Sequence, residues 1–139
     1  MTAEDLIIEM EVARDTALRE YRRFARQQPG GHKWVIREDG TDITPLDKDG
    51  ERIDEEIYMG RVPEDLEELD LMRGVKEALD MYPEATQVGL GGSFRIYDDE
   101  EDAEHGDCPH VEWWQVAGRF TLTDEGKLIR VTEHGLTIG

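Results

Sequence analysis

The chain has 139 residues, with 34 Asp and Glu against 16 Lys and Arg, a formal net charge of −18. That length is one domain's worth, enough to bury roughly two thirds of the unfolded surface. Three Trp, four Tyr and three Phe argue against an acidic disordered chain. A body this negative repels a phosphate backbone, so direct nucleic-acid binding is disfavoured.

The charge is unevenly spread. Residues 1–27 hold six acids and five arginines, a net of −1, which leaves −17 for residues 28–139. The acids are densest at Asp98, Asp99, Glu100, Glu101, Asp102 and Glu104. They repel one another, which predicts a solvated acidic loop over 98–110. Arginine outnumbers lysine 12 to 4. Dense carboxylates with scarce lysine suit a protein that works in high salt, where screening relieves the self-repulsion.

No run of 18 apolar residues is present, so no membrane span is expected. The start, Met-Thr-Ala-Glu-Asp, lacks a basic flank and an apolar stretch, so the expected place is the cytoplasm, or a particle assembled there. The single cysteine, Cys108, cannot form an internal disulfide.

Thr2 and Asp5 form a capping-box pattern. Leu6, Met10, Ala13, Ala17, Tyr21 and Phe24 then recur at three and four, the buried stripe of a helix over 2–28 that Pro29-Gly30-Gly31 ends. Acids at its start and Arg19, Arg22, Arg23 and Arg26 at its end match the helix dipole. Asp15 and Arg19 form an i,i+4 pair. A helix this long in so small a domain projects or packs on a second copy.

Residues 32–37 read as a strand, Asp39-Gly40 as a turn, 41–52 as a polar stretch and 53–59 as a returning strand. Pro63 takes the first position of a second helix with a stripe of Leu66, Leu69, Met72, Val75, Leu79 and Tyr82. Residues 87–90 and 93–98 are strands separated by Gly91-Gly92. Residues 111–123 form a long strand with Trp114, Val116, Gly118, Phe120 and Leu122 facing the core and Trp113 facing away. Asp124-Glu125-Gly126 is a hairpin turn into 127–133, and 136–138 adds a short edge. The predicted fold is one α+β domain in the order α-β-β-α-β-β-β, with both helices on one face of a mainly antiparallel sheet.

Three clusters invite a chemical reading. His105, Cys108 and His110 bring three zinc-ligand types within six residues, though in no standard zinc spacing, so no cofactor is expected beyond this weak zinc set. Asp47, Asp49, Gly50 and Glu56 resemble part of a calcium loop. Pro45 stands where the first carboxylate is needed, so an acidic turn is the better reading. Gly89, Gly91 and Gly92 run into a strand rather than a helix, unlike a phosphate loop.

The stretch Val116-Ala-Gly-Arg-Phe120-Thr-Leu-Thr-Asp-Glu-Gly126-Lys-Leu-Ile-Arg-Val131 resembles the closing hairpin of the nuclear-transport-factor-2-like (SnoaL-like) cone fold. That resemblance implies a curved sheet and helices enclosing a small-molecule pocket, often with an Asp–His pair, in an enzyme or ligand-binding protein. It carries over no catalytic residue.

The main expectation is a non-enzymatic acidic protein that binds or assembles with other proteins. It would act as an inhibitor or immunity protein whose carboxylates stand in for phosphates, or as a structural component of a virus particle. The expected contact residues are Arg19, Arg22, Arg23 and Arg26 on the first helix and Asp98, Asp99, Glu100, Glu101 and Asp102 in the acidic stretch. The partner is a protein or a second copy met through the N-terminal helix.

Overall fold

The computed structural model describes residues 1–28, 34–54, 56–106 and 109–131, and the backbone of 137–138. The fold is α+β. Helix α1 spans Ala3–Arg26. The Thr2 hydroxyl accepts the Asp5 N–H at 3.1 Å and the Asp5 carboxylate accepts the Thr2 N–H at 3.0 Å, satisfying two otherwise orphaned donors. The buried face carries Leu6, Ile7, Met10, Arg14, Leu18 and Ala25. It is rotated from the predicted stripe: Arg14 and Leu18 point inward and Phe24 outward. Arg14 pulls the helix round, because it pairs with Glu64 and Asp15 at 2.7 Å each and with Glu38 at 3.9 Å. Asp15 therefore pairs with Arg14 rather than with Arg19.

Strand β1 runs unbroken over Val35–Leu46. The predicted turn at Asp39-Gly40 is instead a bulge between Glu38 and Thr41, with Gly40 at φ 104°. Pairing along the whole of β3 (Gln87–Tyr97) outweighs the local turn signal. Strand β2 shrinks to Ile57–Tyr58. Pro63 opens a 3-10 turn, Pro63–Asp65, and helix α2 begins only at Glu68 and ends at Met81. The delay turns its face, so Leu71, Gly74, Val75 and Ala78 are buried and Leu69 is 74% exposed.

Gly91 and Gly92 do not break β3. They sit in the ladder opposite Asp42 and Thr41 because neighbouring groups press on them. A methyl group on Gly92 would overlap the Gly40 carbonyl oxygen and come within 2.6 Å of the Trp114 ring. The predicted long strand divides into β4 (His110–Gln115) and β5 (Arg119–Leu122) at Gly118, whose φ is 93°. Strands β6 (Leu128–Val131) and β7 (Thr137–Ile138) complete the antiparallel sheet, with Gly126 at φ 80° in the β5–β6 turn.

The strand order is β2-β1-β3-β5-β6-β7, with β4 beside β5 on the same edge of β3. Phe94, Phe120, Val88 and Ile43 from the sheet meet Leu6, Met10, Leu71 and Val75 from the helices and fill the layer between them. Gly74 lets α2 approach β1, since a methyl there would stand 2.6 Å from Ile43 Cδ1. None of the described helices is long and apolar enough to cross a membrane.

Residues 98–110 are not a plain loop: Glu100–His105 form a short helix, α3. The Asp99 carboxylate caps it by accepting the Asp102 N–H at 2.8 Å, and Gly106 at φ 67° ends it. Acids in its first turn favour the helix dipole, which offsets part of their mutual repulsion.

Candidate functional site

Arg19, Arg22, Arg23 and Arg26 are all exposed at the C-terminal end of α1. Among the described residues, none of the four has a carboxylate partner, and Arg26 bonds only the Arg22 carbonyl, at 3.4 Å. The other seven arginines that precede Arg119 or follow it pair with acids. Four guanidiniums without a carboxylate partner among the described residues are therefore a local feature of the C-terminal end of α1.

The same helix exposes an apolar patch. Ile8 is 51% and Val12 59% exposed, one turn apart. Beside them runs β4, whose only strand partner among the described residues is β3. The groove between α1 and β4 encloses about 550 Å³ and is bordered by Ile8, Val12, Ala17, Trp113 and Val116. Trp113 is 62% exposed, as the alternation in β4 predicts for the face away from the core.

The acidic stretch lies at the other end of β3. Asp98, Asp99, Glu100 and Glu101 are exposed and Asp102 is half-buried. Arg37 reaches Glu100 at 3.5 Å. A cavity of about 400 Å³ is bordered by Tyr21 and Phe24 from α1 and by Trp34, Asp98, His110 and Glu112. Tyr21 stacks on Trp34 and His110 with centroids 6.0 and 6.1 Å away. Burial, with the Glu112 charge, pushes the Tyr21 hydroxyl above its ordinary pKa.

Of the zinc set, His105 sits on α3 and His110 on β4, where it bonds Glu112 at 2.6 Å. Cys108 lies outside the described residues. No group of three metal-ligand side chains gathers among the described residues. In the acidic turn, Asp47 Oδ1 accepts the Asp49 and Glu51 N–H groups, so that carboxylate closes the turn.

A second concave surface lies on the sheet face opposite the helices. Its cavity holds about 580 Å³. Gly89 and Gly91 form a floor without side chains, flanked by Asp42, Trp113 and Arg119. Asp42 is only 8% exposed, and no described residue donates a hydrogen bond to its carboxyl. Burial pushes that carboxyl up to about 6. The Glu56 charge adds to the rise and Arg52 opposes it. By composition Asp42 belongs to the polar stretch 41–52. The signal was present in the alternation Asp42, Ile43, Thr44, Pro45, which puts Asp42 on the face opposite the buried Ile43.

The pocket implied by the cone-fold resemblance would lie between helices and sheet. In the described residues the centre of that layer is filled, and open cavities lie at its end, along the groove between α1 and β4, and on the opposite face. Comparison with known protein families, curated proteins and solved structures returned no match.

Proposed function

We propose that this chain is a non-enzymatic binding or assembly protein that acts by contact between proteins, with the outer face of α1 and the edge of β4 as its contact surface. The observation that carries the reading is the arginine tip. Arg19, Arg22, Arg23 and Arg26 have no carboxylate partner among the described residues, while acids outnumber bases more than two to one. Charged groups left exposed in this way favour fast, oriented encounter with an oppositely charged surface.

Ile8, Val12 and Trp113 supply the apolar part that such a contact needs at its centre. The free edge of β4 offers backbone groups to an incoming strand. The partner this surface suits has an acidic patch beside an apolar one. A second copy has both, because the body outside α1 carries −17. Assembly into a particle is the role that fits such head-to-body contact most directly.

The test is the association state of the purified chain. Replacing Arg19, Arg22, Arg23 and Arg26 by Glu should abolish self-association without unfolding the protein, because these exposed side chains pair with no carboxylate among the described residues. Replacing Ile8 and Val12 by Ser should weaken it. Association unchanged by both variants would overturn the reading.

A further inference from the structure

The glycine-floored trough on the open face of the sheet adjoins the α1 contact surface along residues 113–116 and is otherwise not used by it. Its shape follows from the register. Asp42 on β1 pairs with Gly91 on β3, and Gly91 pairs in turn with Gln115 on β4. Phe120 pairs with Val88, which places Arg119 level with Gly89. Two strand spacings therefore separate the Asp42 and Arg119 backbones, which stand roughly 12 Å apart on the diagonal. Between them β3 presents only Gly89 and Gly91; the space over Gly89 is open, while the Trp114 carbonyl and Gln115 close in over Gly91.

The charges at the two ends are opposite and unmatched. Asp42 is 8% exposed as a residue, and its carboxyl borders the cavity and accepts no hydrogen bond from a described residue. Arg52, its nearest cation, is shared with Glu56 at 3.7 Å. The Arg119 guanidinium is held beneath the turn at Gly50 and has no carboxylate partner among the described residues. A carboxyl desolvated in part and without a protein donor gains from an incoming ammonium group. Trp113 forms one wall and offers an aromatic face to an apolar group.

We propose that this trough binds a free apolar α-amino acid, with its ammonium group on Asp42, its carboxylate on Arg119 and its side chain against Trp113. A cavity of about 580 Å³ falls in the range of small-molecule sites. Two opposite charges at the ends of the trough select a zwitterion over an ion of either sign, because each end desolvates one charged group that only the correct pole repays.

Gly89 provides a clean way to close the site. Its backbone needs no left-handed conformation, and a methyl there meets only Leu46 Cδ1, at an ordinary 3.7 Å. Gly89→Val thus fills the floor and suits a strand. The experiment is calorimetric titration of the folded chain with each free L-amino acid, then with the methyl ester and the N-acetyl form of the best binder. The wild type should bind an apolar amino acid. The ester and the N-acetyl form should each bind about tenfold more weakly or worse. Asp42→Asn, Arg119→Gln and Gly89→Val should each lose at least about tenfold in affinity while melting cooperatively. The proposal is overturned if no free amino acid binds the wild type, or if Gly89→Val and Asp42→Asn bind it as tightly.

Discussion

Arg14 on the first helix meets Glu64, fifty positions along the chain, at 2.7 Å. The same guanidinium bonds Asp15 and stands 3.9 Å from Glu38, so one nearly buried cation ties α1 to the 3-10 turn and to β1. Its Nη1 has no hydrogen-bond partner, which raises the cost of its burial. Arg14→Ala should lower stability by roughly 2 kcal/mol, because packing and charge-assisted bonds are both lost. Arg14→Met, which keeps the buried stem, should recover about half of that. Urea unfolding of the three proteins measures it, and equal midpoints would show that the cluster is not a stabilising one.

Asp42 gives stability a pH dependence of definite sign. Its carboxyl is held up at about 6 in the fold, against 3.8 unperturbed. Between those values the folded chain holds more protons than the unfolded one, so the stability due to Asp42 is full below the lower value. It is lost as pH rises through about 6, a change of about 3 kcal/mol. Unfolding midpoints across that window should therefore fall less in Asp42→Asn than in the wild type. Parallel curves would contradict the buried carboxyl.

The three glycines of β3 should respond differently to the same change. Gly92→Ala meets the Gly40 carbonyl and the Trp114 ring and should cost about 2 kcal/mol or more. Gly91→Ala meets the Trp114 carbonyl oxygen and should also destabilise. Gly89→Ala should stay within about 1 kcal/mol of wild type or be more stable. A ranking by thermal melting that puts Gly89 lowest would refute the packing described for this strand.

The helices, the sheet class and the face of Trp113 and Trp114 were legible in the sequence, because periodicity reports burial directly. The joins were not. Asp39-Gly40 reads as a turn by composition, yet β3 pairs on both sides of it and turns it into a bulge. Pro63 signals a helix start, but Leu66 is buried in an extended cap and α2 begins two residues later. The acidic run reads as solvated loop, and only the Asp99 cap and Gly106 make it a helix. Asp42 and Arg119 were invisible as a pair, since β1 and β5 meet across β3 only through the fold.

The charge of −18 should make the fold depend on salt. At low ionic strength the body outside α1 repels itself, and screening shortens that repulsion to about 8 Å at physiological salt. The melting temperature should rise steadily from low salt to about 1 M NaCl, where the screening length is about 3 Å. A flat or falling curve would mean that the carboxylates are spaced widely enough to need no screening.

The contact surface on α1 is tested most directly by sedimentation velocity at about physiological ionic strength, comparing wild type with the Arg19, Arg22, Arg23 and Arg26 to Glu variant over a range of concentrations. The wild type should sediment as a concentration-dependent assembly, and the variant as a folded monomer. A wild type that remains monomeric at every concentration, or a variant that assembles equally well, would contradict the role assigned to the helix.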